Sequence, residues 1–190
     1  MTNPVIDIRQ LEQLKLEDLQ NLVIGYTSNT SYRVSKTDSG ERFALTLELV
    51  PLPQPFVKRY DHLDRETLEH YRKVPAFGFS YGAFDKEQCV GIALAEPRHW
   101  NMSLWVWELH VAESHRRRGI GQRLVGALAD KAREAGLRTV VCETQNTNVT
   151  AIGFYRRVGF QIEGIDISYY TNEDFPDGEI AVFMKLRLHP

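Results

Sequence analysis

The spacing of hydrophobic positions changes along the chain, and each change marks an element. Ala76–Phe84, Cys89–Glu96 and Ser103–Ala112 are rich in β-branched, aromatic and small apolar residues. The polar runs Asp85-Lys86-Glu87-Gln88 and Pro97-Arg98-His99-Trp100-Asn101 separate them. This pattern predicts a three-stranded antiparallel meander. From Gly119 to Ala135 the period lengthens: Ile120, Leu124, Leu128, Ala132 and Ala135 recur at helical spacing, and Gly136 marks the stop. A strand over Arg138–Glu143 follows. Because a helix separates it from Ser103–Ala112, the two strands are expected to be parallel and joined by a right-handed crossover. Val149–Val158 predicts a short helix, and Phe160–Tyr170 with Glu179–Leu188 a closing pair of strands.

The first third is less regular. Residues 5–22 combine an alternating start, Val5-Ile6-Asp7-Ile8, with helically spaced Leu11, Leu14, Leu19 and Leu22, so strand and helix both stay open there. Tyr26–Val34 and Arg42–Val50 alternate as a hairpin around Thr37-Asp38-Ser39-Gly40. Pro51, Pro53 and Pro55 argue against continued pairing and predict an extended crossing loop. That loop leads to a helix over Arg65–Lys73, capped by Asp64. The order of elements describes an α/β domain with a mixed sheet.

With 190 residues, 43% hydrophobic and 25% charged, the chain is expected to form a single domain over residues 1–190. A net charge of −2 argues against nucleic acid as an obligatory partner. Charge is nonetheless segregated. Arg116, Arg117, Arg118, Arg123, Lys131, Arg133 and Arg138 cluster in one stretch, whereas Val158–Met184 holds Glu163, Asp166, Glu173, Asp174, Asp177 and Glu179 with no Lys or Arg. Cys89 and Cys142 lie in apolar runs without ligand spacing, so they read as reduced core thiols and no metal site is expected. The N-terminus lacks a basic segment followed by an apolar one, and no apolar run reaches the ~18 residues of a membrane span. A cytoplasmic protein without a membrane partner is the expectation.

The chemistry concentrates in Arg116-Arg117-Arg118-Gly119-Ile120-Gly121, where a strand gives way to the long helix. Glycines let backbone approach a ligand, and a helix start offers unpaired N–H groups and positive dipole charge, so this junction suits phosphate. The acidic stretch beside Tyr169 and Tyr170 suits a cation. His110 and His115 have no accompanying Ser or Cys nucleophile motif.

Three linked parts now stand in one order and spacing: Trp105-Val106-Trp107-Glu108-Leu109-His110-Val111, the Arg116-x-x-Gly119-x-Gly121 loop with its helix, and Asn148-x-x-Ala151-x-x-Phe154-Tyr155-x-x-x-Gly159-Phe160. Together they resemble the GNAT superfamily of acetyl-CoA-dependent N-acetyltransferases. Arg98-x-Trp100-Asn101, Glu143-Thr144-Gln145-Asn146, Gly159-Phe160-x-Ile162-x-x-x-Asp166-x-x-x-Tyr170 and Ala181-Val182-Phe183 are similar to its streptothricin acetyltransferase branch.

The resemblance implies a GNAT fold, with a mixed central sheet of about seven strands splayed between the fourth and fifth and flanked by helices. It implies acetyl-CoA as donor, its pyrophosphate on the backbone of Arg116, Arg117, Arg118, Gly119, Ile120, Gly121 and Gln122. The pantetheine arm would lie along Leu109, His110 and Val111, beside a bulge over Leu109–Ala112. Asn148 is a cofactor contact or a helix cap. Glu108 is the first candidate for the base that deprotonates the amine, with Glu143 second or orienting a cationic acceptor. Tyr155 corresponds to the acid that protonates the departing thiolate. Glu143, Asp166 and Tyr170 are the acceptor-side candidates. The implied reaction is direct attack, in a ternary complex, by a primary amine of a small, possibly streptothricin-like cation. A peptide or protein amine, or a non-catalytic acyl-CoA-binding sensor, are the alternatives. By resemblance alone, a homodimer through the C-terminal strands is also open.

Overall fold

A computed structural model of the chain describes residues 5–60 and 63–188. In order the elements are β1 (Ile6–Gln10), α1 (Leu16–Leu22), β2 (Gly25–Asp38), β3 (Phe43–Arg59), α2 (Arg65–Lys73), β4 (Tyr81–Asp85), β5 (Gln88–Arg98), β6 (Ser103–Val111), α3 (Ile120–Glu134), β7 (Thr139–Gln145), α4 (Val149–Arg157), β8 (Gln161–Asp166) and β9 (Ala181–Arg187). The fold is α/β. Seven strands form a mixed sheet in the order β1-β4-β5-β6-β7-β9-β8, and β2 and β3 form a separate ribbon. The chain packs as two compact units. One comprises residues up to Ile24, Tyr60–Val141 and the chain from Leu186; the other comprises Gly25–Arg59 and Cys142–Lys185.

In the first unit, the two readings of residues 5–22 are both realised in succession. Ile6–Gln10 pairs antiparallel with β4, and α1 buries Leu19 and Leu22. Leu11 and Leu14, between them, pack partly buried against the same core cluster. The meander β4-β5-β6 is antiparallel as its pattern requires. Helices cover both faces of β5, because alternate strand residues point to opposite sides. Ile92 and Leu94 pack with Leu19, Leu22, Tyr71 and Val74. Gly91 points the other way, where a Cβ would stand 3.3 Å from Leu124 Cδ1 of α3.

The helix signals translate directly. Asp64 Oδ1 accepts the Thr67 N–H at 2.8 Å, and its Oδ2 accepts the Thr67 hydroxyl at 2.7 Å. α3 buries Ile120, Leu124, Val125, Leu128, Ala129 and Ala132, the four larger side chains contributing about 1.5–3 kcal/mol each when fully buried. Ala135, expected to end that stripe, is the exposed C-cap instead.

In the second unit, the predicted hairpin is much longer than its alternation suggested, and the crossing loop expected at Pro51, Pro53 and Pro55 is strand. Pro51 lies opposite Thr30, and Phe56 opposite Ser28, with one register shift between them. A strand with a single neighbour leaves every second N–H outside the ladder, so prolines two apart can occupy those positions at little cost. The shift takes up the extra residues as a bulge.

Asn146 ties this unit together. Its backbone accepts the Tyr32 N–H at 3.0 Å and donates to Ile180 O at 2.8 Å. Its side chain repeats the pattern, with Nδ2 donating to Tyr32 O and Oδ1 accepting the Ile180 N–H, both at 2.8 Å. A buried amide with these partners satisfied links β2 to the approach to β9 through the end of β7.

Candidate active site

In its pairing with β5, β6 carries one irregularity. Ala95 of β5 faces Val106, but the preceding Leu94 faces Glu108, so Trp107 is an extra residue. The bulge expected over Leu109–Ala112 is therefore located earlier on the β5 side, where Leu109, His110 and Val111 pair regularly with Ala93, Ile92 and Gly91. Trp107 has its own anchors. Its indole N–H donates to Glu96 Oε2 at 2.9 Å, and its ring meets His70 of α2 edge-on at 4.7 Å.

The bulge re-aims the next residue, Glu108, whose side chain is only 14% exposed. Both carboxylate oxygens are occupied. Tyr71 of α2 donates its hydroxyl to Oε1 at 2.7 Å, and Oε2 lies 2.5 Å from Nε2 of His110, two residues along the same strand face. Burial, then the negative charge of Glu108 and the hydrogen bond to it, push the Tyr71 phenol far above its ordinary pKa. Tyr71 is therefore a hydroxyl donor at any ordinary pH.

Past β6 the loop turns on two left-handed residues, Arg117 at φ 61° and Gly119 at φ 77°. Arg116 Nε donates to Val111 O at 3.1 Å, and Arg118 donates to Ser114 O at 2.9 Å. These two guanidinium groups brace the loop from within. Gly119 is the N-cap of α3 and offers no side-chain cap to its first turn, which contains Ile120, Gly121 and Gln122; a Cβ added at Gly119 would meet nothing within 4 Å. The dipole end of a 15-residue helix is thus bare. A cavity of about 500 Å³ opens beside this segment, lined by Asn21, Leu22, Ile24, Val111, Ala112 and Arg116 among others.

The second unit holds the other candidates. Tyr155 is buried in α4 against Phe160, with ring centroids 5.2 Å apart, and its side chain interacts with the Cys142 thiol. Asn148 caps α4, its Oδ1 accepting the Ala151 N–H at 3.2 Å. Glu143 and Tyr170 meet, the tyrosine hydroxyl donating to Oε1. Burial first, then the charge of Glu143, raise the Tyr170 phenol well above its ordinary value. Asp166 stands apart from that pair in its contacts, accepting the Ser168 N–H at 3.0 Å in a local turn.

Several of the acids that suggested a cationic ligand are occupied by the fold. Glu179 accepts from the Tyr26 and Thr147 hydroxyls at 3.2 and 3.0 Å and pairs with Lys58. Glu163 pairs with Lys185 at 3.5 Å. Asp174, only 4% exposed, accepts the Tyr170 and Thr171 N–H groups at 2.8 and 2.9 Å and the Thr171 hydroxyl at 2.6 Å. Burial alone would raise its pKa; the Thr171 hydroxyl and the two N–H groups outweigh that and hold it low.

A family model described as the Acetyltransferase (GNAT) family matches residues 46–160. The chain belongs to the GNAT acetyltransferase family. Beyond that match, the GNAT enzyme is 32% identical to streptothricin acetyltransferase of Streptomyces lavendulae over 173 residues, 90% of this chain and 88% of the relative. Streptothricin acetyltransferase A of Bacillus subtilis (strain 168) is 29% identical over 133 residues, covering 68% and 72%. Among solved structures, nourseothricin acetyltransferase superposes with a TM-score of 0.75 at 28% identity, over 97% of this chain and 99% of its own. A Bacillus anthracis str. Ames protein, solved in complex with acetyl coenzyme A, gives 0.70 at 26% identity, over 96% and 99%.

The GNAT protein is accordingly an acetyl-CoA-dependent N-acetyltransferase. Among its described residues no group of three or more His, Cys, Asp or Glu could hold a metal ion, and no helix is long and apolar enough to cross a membrane. Sequence reading missed Tyr71 as a partner of Glu108, and Lys58 and Tyr26 as partners of Glu179. Tyr71 did carry a signal. With Leu68 it forms the apolar face of α2, and a buried phenol needs an acceptor for its hydroxyl. Lys58 and Tyr26 carried none beyond their type.

Proposed function

We propose that this acetyltransferase acetylates a primary amine of a small, streptothricin-type cation by direct attack in a ternary complex. The observation that carries this reading is the extent of the likeness. It reaches far beyond residues 46–160 to cover nine-tenths of the chain, and so takes in the Glu143–Tyr170 pair. An anionic carboxylate beside a phenol suits an ammonium-bearing ligand by charge and by ring contact.

The residues of the donor segment fit acetyl-CoA. The uncapped N–H groups of α3, with no Cβ at Gly119 to obstruct them, suit a pyrophosphate. Arg116, Arg117, Arg118, Gly119, Ile120, Gly121 and Gln122 would hold it there. The backbone of Leu109, His110 and Val111 would carry the pantetheine arm, and Asn148 would serve it in addition to capping α4. Acetyl-CoA supplies an acetyl thioester open to attack by an amine.

Alkyl amines with a pKa near 10.4 are protonated at neutral pH, so attack requires a base. Glu108 takes that proton on a carboxylate oxygen. Tyr155 holds the proton needed at the leaving sulfur on its hydroxyl oxygen. Glu143 and Tyr170 bind the acceptor, with Asp166, engaged by Ser168, a weaker contribution.

Thiol release with acetyl-CoA and a panel of streptothricin, aminoglycosides, simple diamines and a lysine peptide tests the acceptor. Turnover strongest with streptothricin is expected, and turnover confined to the peptide, or absent with every amine, refutes it. Glu108→Gln and Tyr155→Phe are each expected to lower kcat by about 10²–10⁴-fold while CoA still binds. Unchanged kcat in either variant removes that residue from the mechanism.

A further inference from the structure

We propose that Tyr71 is a positioning residue for this reaction: its hydroxyl fixes the orientation of the Glu108 carboxylate that receives the proton. The inference rests on Glu108 being the base. It adds why α2 matters to chemistry carried on β6.

The carboxylate is held at both oxygens. Oε1 accepts the Tyr71 hydroxyl at 2.7 Å. Burial and the neighbouring charge keep that phenol protonated, so it remains a donor to the carboxylate. Tyr71 also cannot withdraw easily. It is 7% exposed, belongs to the core cluster with Leu19, Leu22, Val74, Ile92 and Leu94, and has its ring 6.4 Å from that of Trp107. Trp107 is in turn fixed through Glu96. Oε2 lies 2.5 Å from Nε2 of His110, whose side chain is 23% exposed. The extra residue at Trp107 aims Glu108 at the helix, and Tyr71 is the helix residue that meets it.

A double-mutant cycle between Tyr71→Phe and Glu108→Gln tests this. Losing a hydrogen bond to a charged group is expected to lower kcat about tenfold to a hundredfold. The KM values for acetyl-CoA and for the amine should stay within about twofold, since Tyr71 is assigned no binding role. Added to Glu108→Gln, Tyr71→Phe should lower kcat no further, because it acts only through the carboxylate. A kcat for Tyr71→Phe within about twofold of the parent, or losses that multiply in the double variant, overturns the proposal. Full turnover by Glu108→Gln alone overturns the reading of Glu108 as base, an outcome distinct from either of those. Incorporating 4-aminophenylalanine in place of Tyr71 restores a donor on a ring of the same shape. It is expected to restore most of kcat relative to the phenylalanine variant or, if that variant does not fold, to support near-parent turnover; a folded protein that lacks this turnover refutes the assignment.

Discussion

The two ends of α3 provide a controlled test of where the donor's phosphates bind. Gly119 precedes the helix at φ 77° and Gly136 follows it at φ 70°, and a Cβ at either would meet nothing within 4 Å. Gly119→Ala and Gly136→Ala therefore carry the same local cost. A left-handed non-glycine residue costs about 1–2 kcal/mol. The stiffer unfolded chain returns about 0.4–1 kcal/mol of that. The net loss is on the order of 1 kcal/mol at each site, or about 2–4 °C in Tm for a chain of this size. Nothing in packing distinguishes the two.

Ligand binding does distinguish them. If the pyrophosphate rests on the first N–H groups of α3, the methyl at position 119 intrudes on the approach, whereas the one at 136 sits past the negative end of the 15-residue helix. Calorimetric titration with CoA should show Kd raised tenfold or more by Gly119→Ala, which is at least about 1.4 kcal/mol, and left within twofold by Gly136→Ala. Urea melts without ligand provide the matching stability measurement. Equal CoA affinity in the two variants, at equal stability loss, would refute the placement of the phosphates.

Glu143→Gln and Tyr170→Phe should each raise the KM for a cationic amine about three- to tenfold with little change in that for acetyl-CoA; Asp166→Asn should have less effect, its carboxylate being engaged by Ser168. Equal effects from all three, read by initial rates, would count against the Glu143–Tyr170 pair as the acceptor contact. Burial pushes the Cys89 thiol up to about 11 and the Cys142 thiol higher still, so both should resist alkylation at pH 8 in the folded protein and react promptly in denaturant, as mass spectrometry would show. Because the folded pKa of Cys89 exceeds its unfolded value, its contribution to stability is complete below about pH 9 and is lost as pH rises through about 11; urea midpoints unchanged across that window would contradict its burial. Asn146→Ala should destabilise the protein by about 1–3 kcal/mol, since it strands the Ile180 N–H and Tyr32 carbonyl bonded to its side chain.

What the sequence revealed follows from the range of the forces involved. α2, α3 and the meander were legible because their signals are local: a cap at Asp64, a helical stripe ending at Gly136, and polar turns between apolar runs. The junction from Arg116 to Gly121 was legible as a turn into a helix for the same reason, since its two glycines, its arginines and the helix they precede are contiguous. β3 was misread because proline's effect depends on how many neighbours a strand has, which is not a local property. The irregularity at Trp107 was not legible because that residue's partners, His70 and Glu96, come from other elements.

The same distinction explains why the acceptor side was harder to read than the donor side. A count of acids in Val158–Met184 suggested a field awaiting a cation, yet Glu179 has Lys58, Glu163 has Lys185, and Asp174 folds its own loop. Lys58 lies 121 residues from Glu179 in sequence, and Tyr71 lies 37 from Glu108. Net charge over a window treats every carboxylate as equal, whereas the fold sorts them by the donors it brings to each. Those donors assign Glu179 and Asp174 structural work. Glu143 differs in the one respect that its contact with Tyr170 is with an uncharged donor, a phenol held protonated beside it.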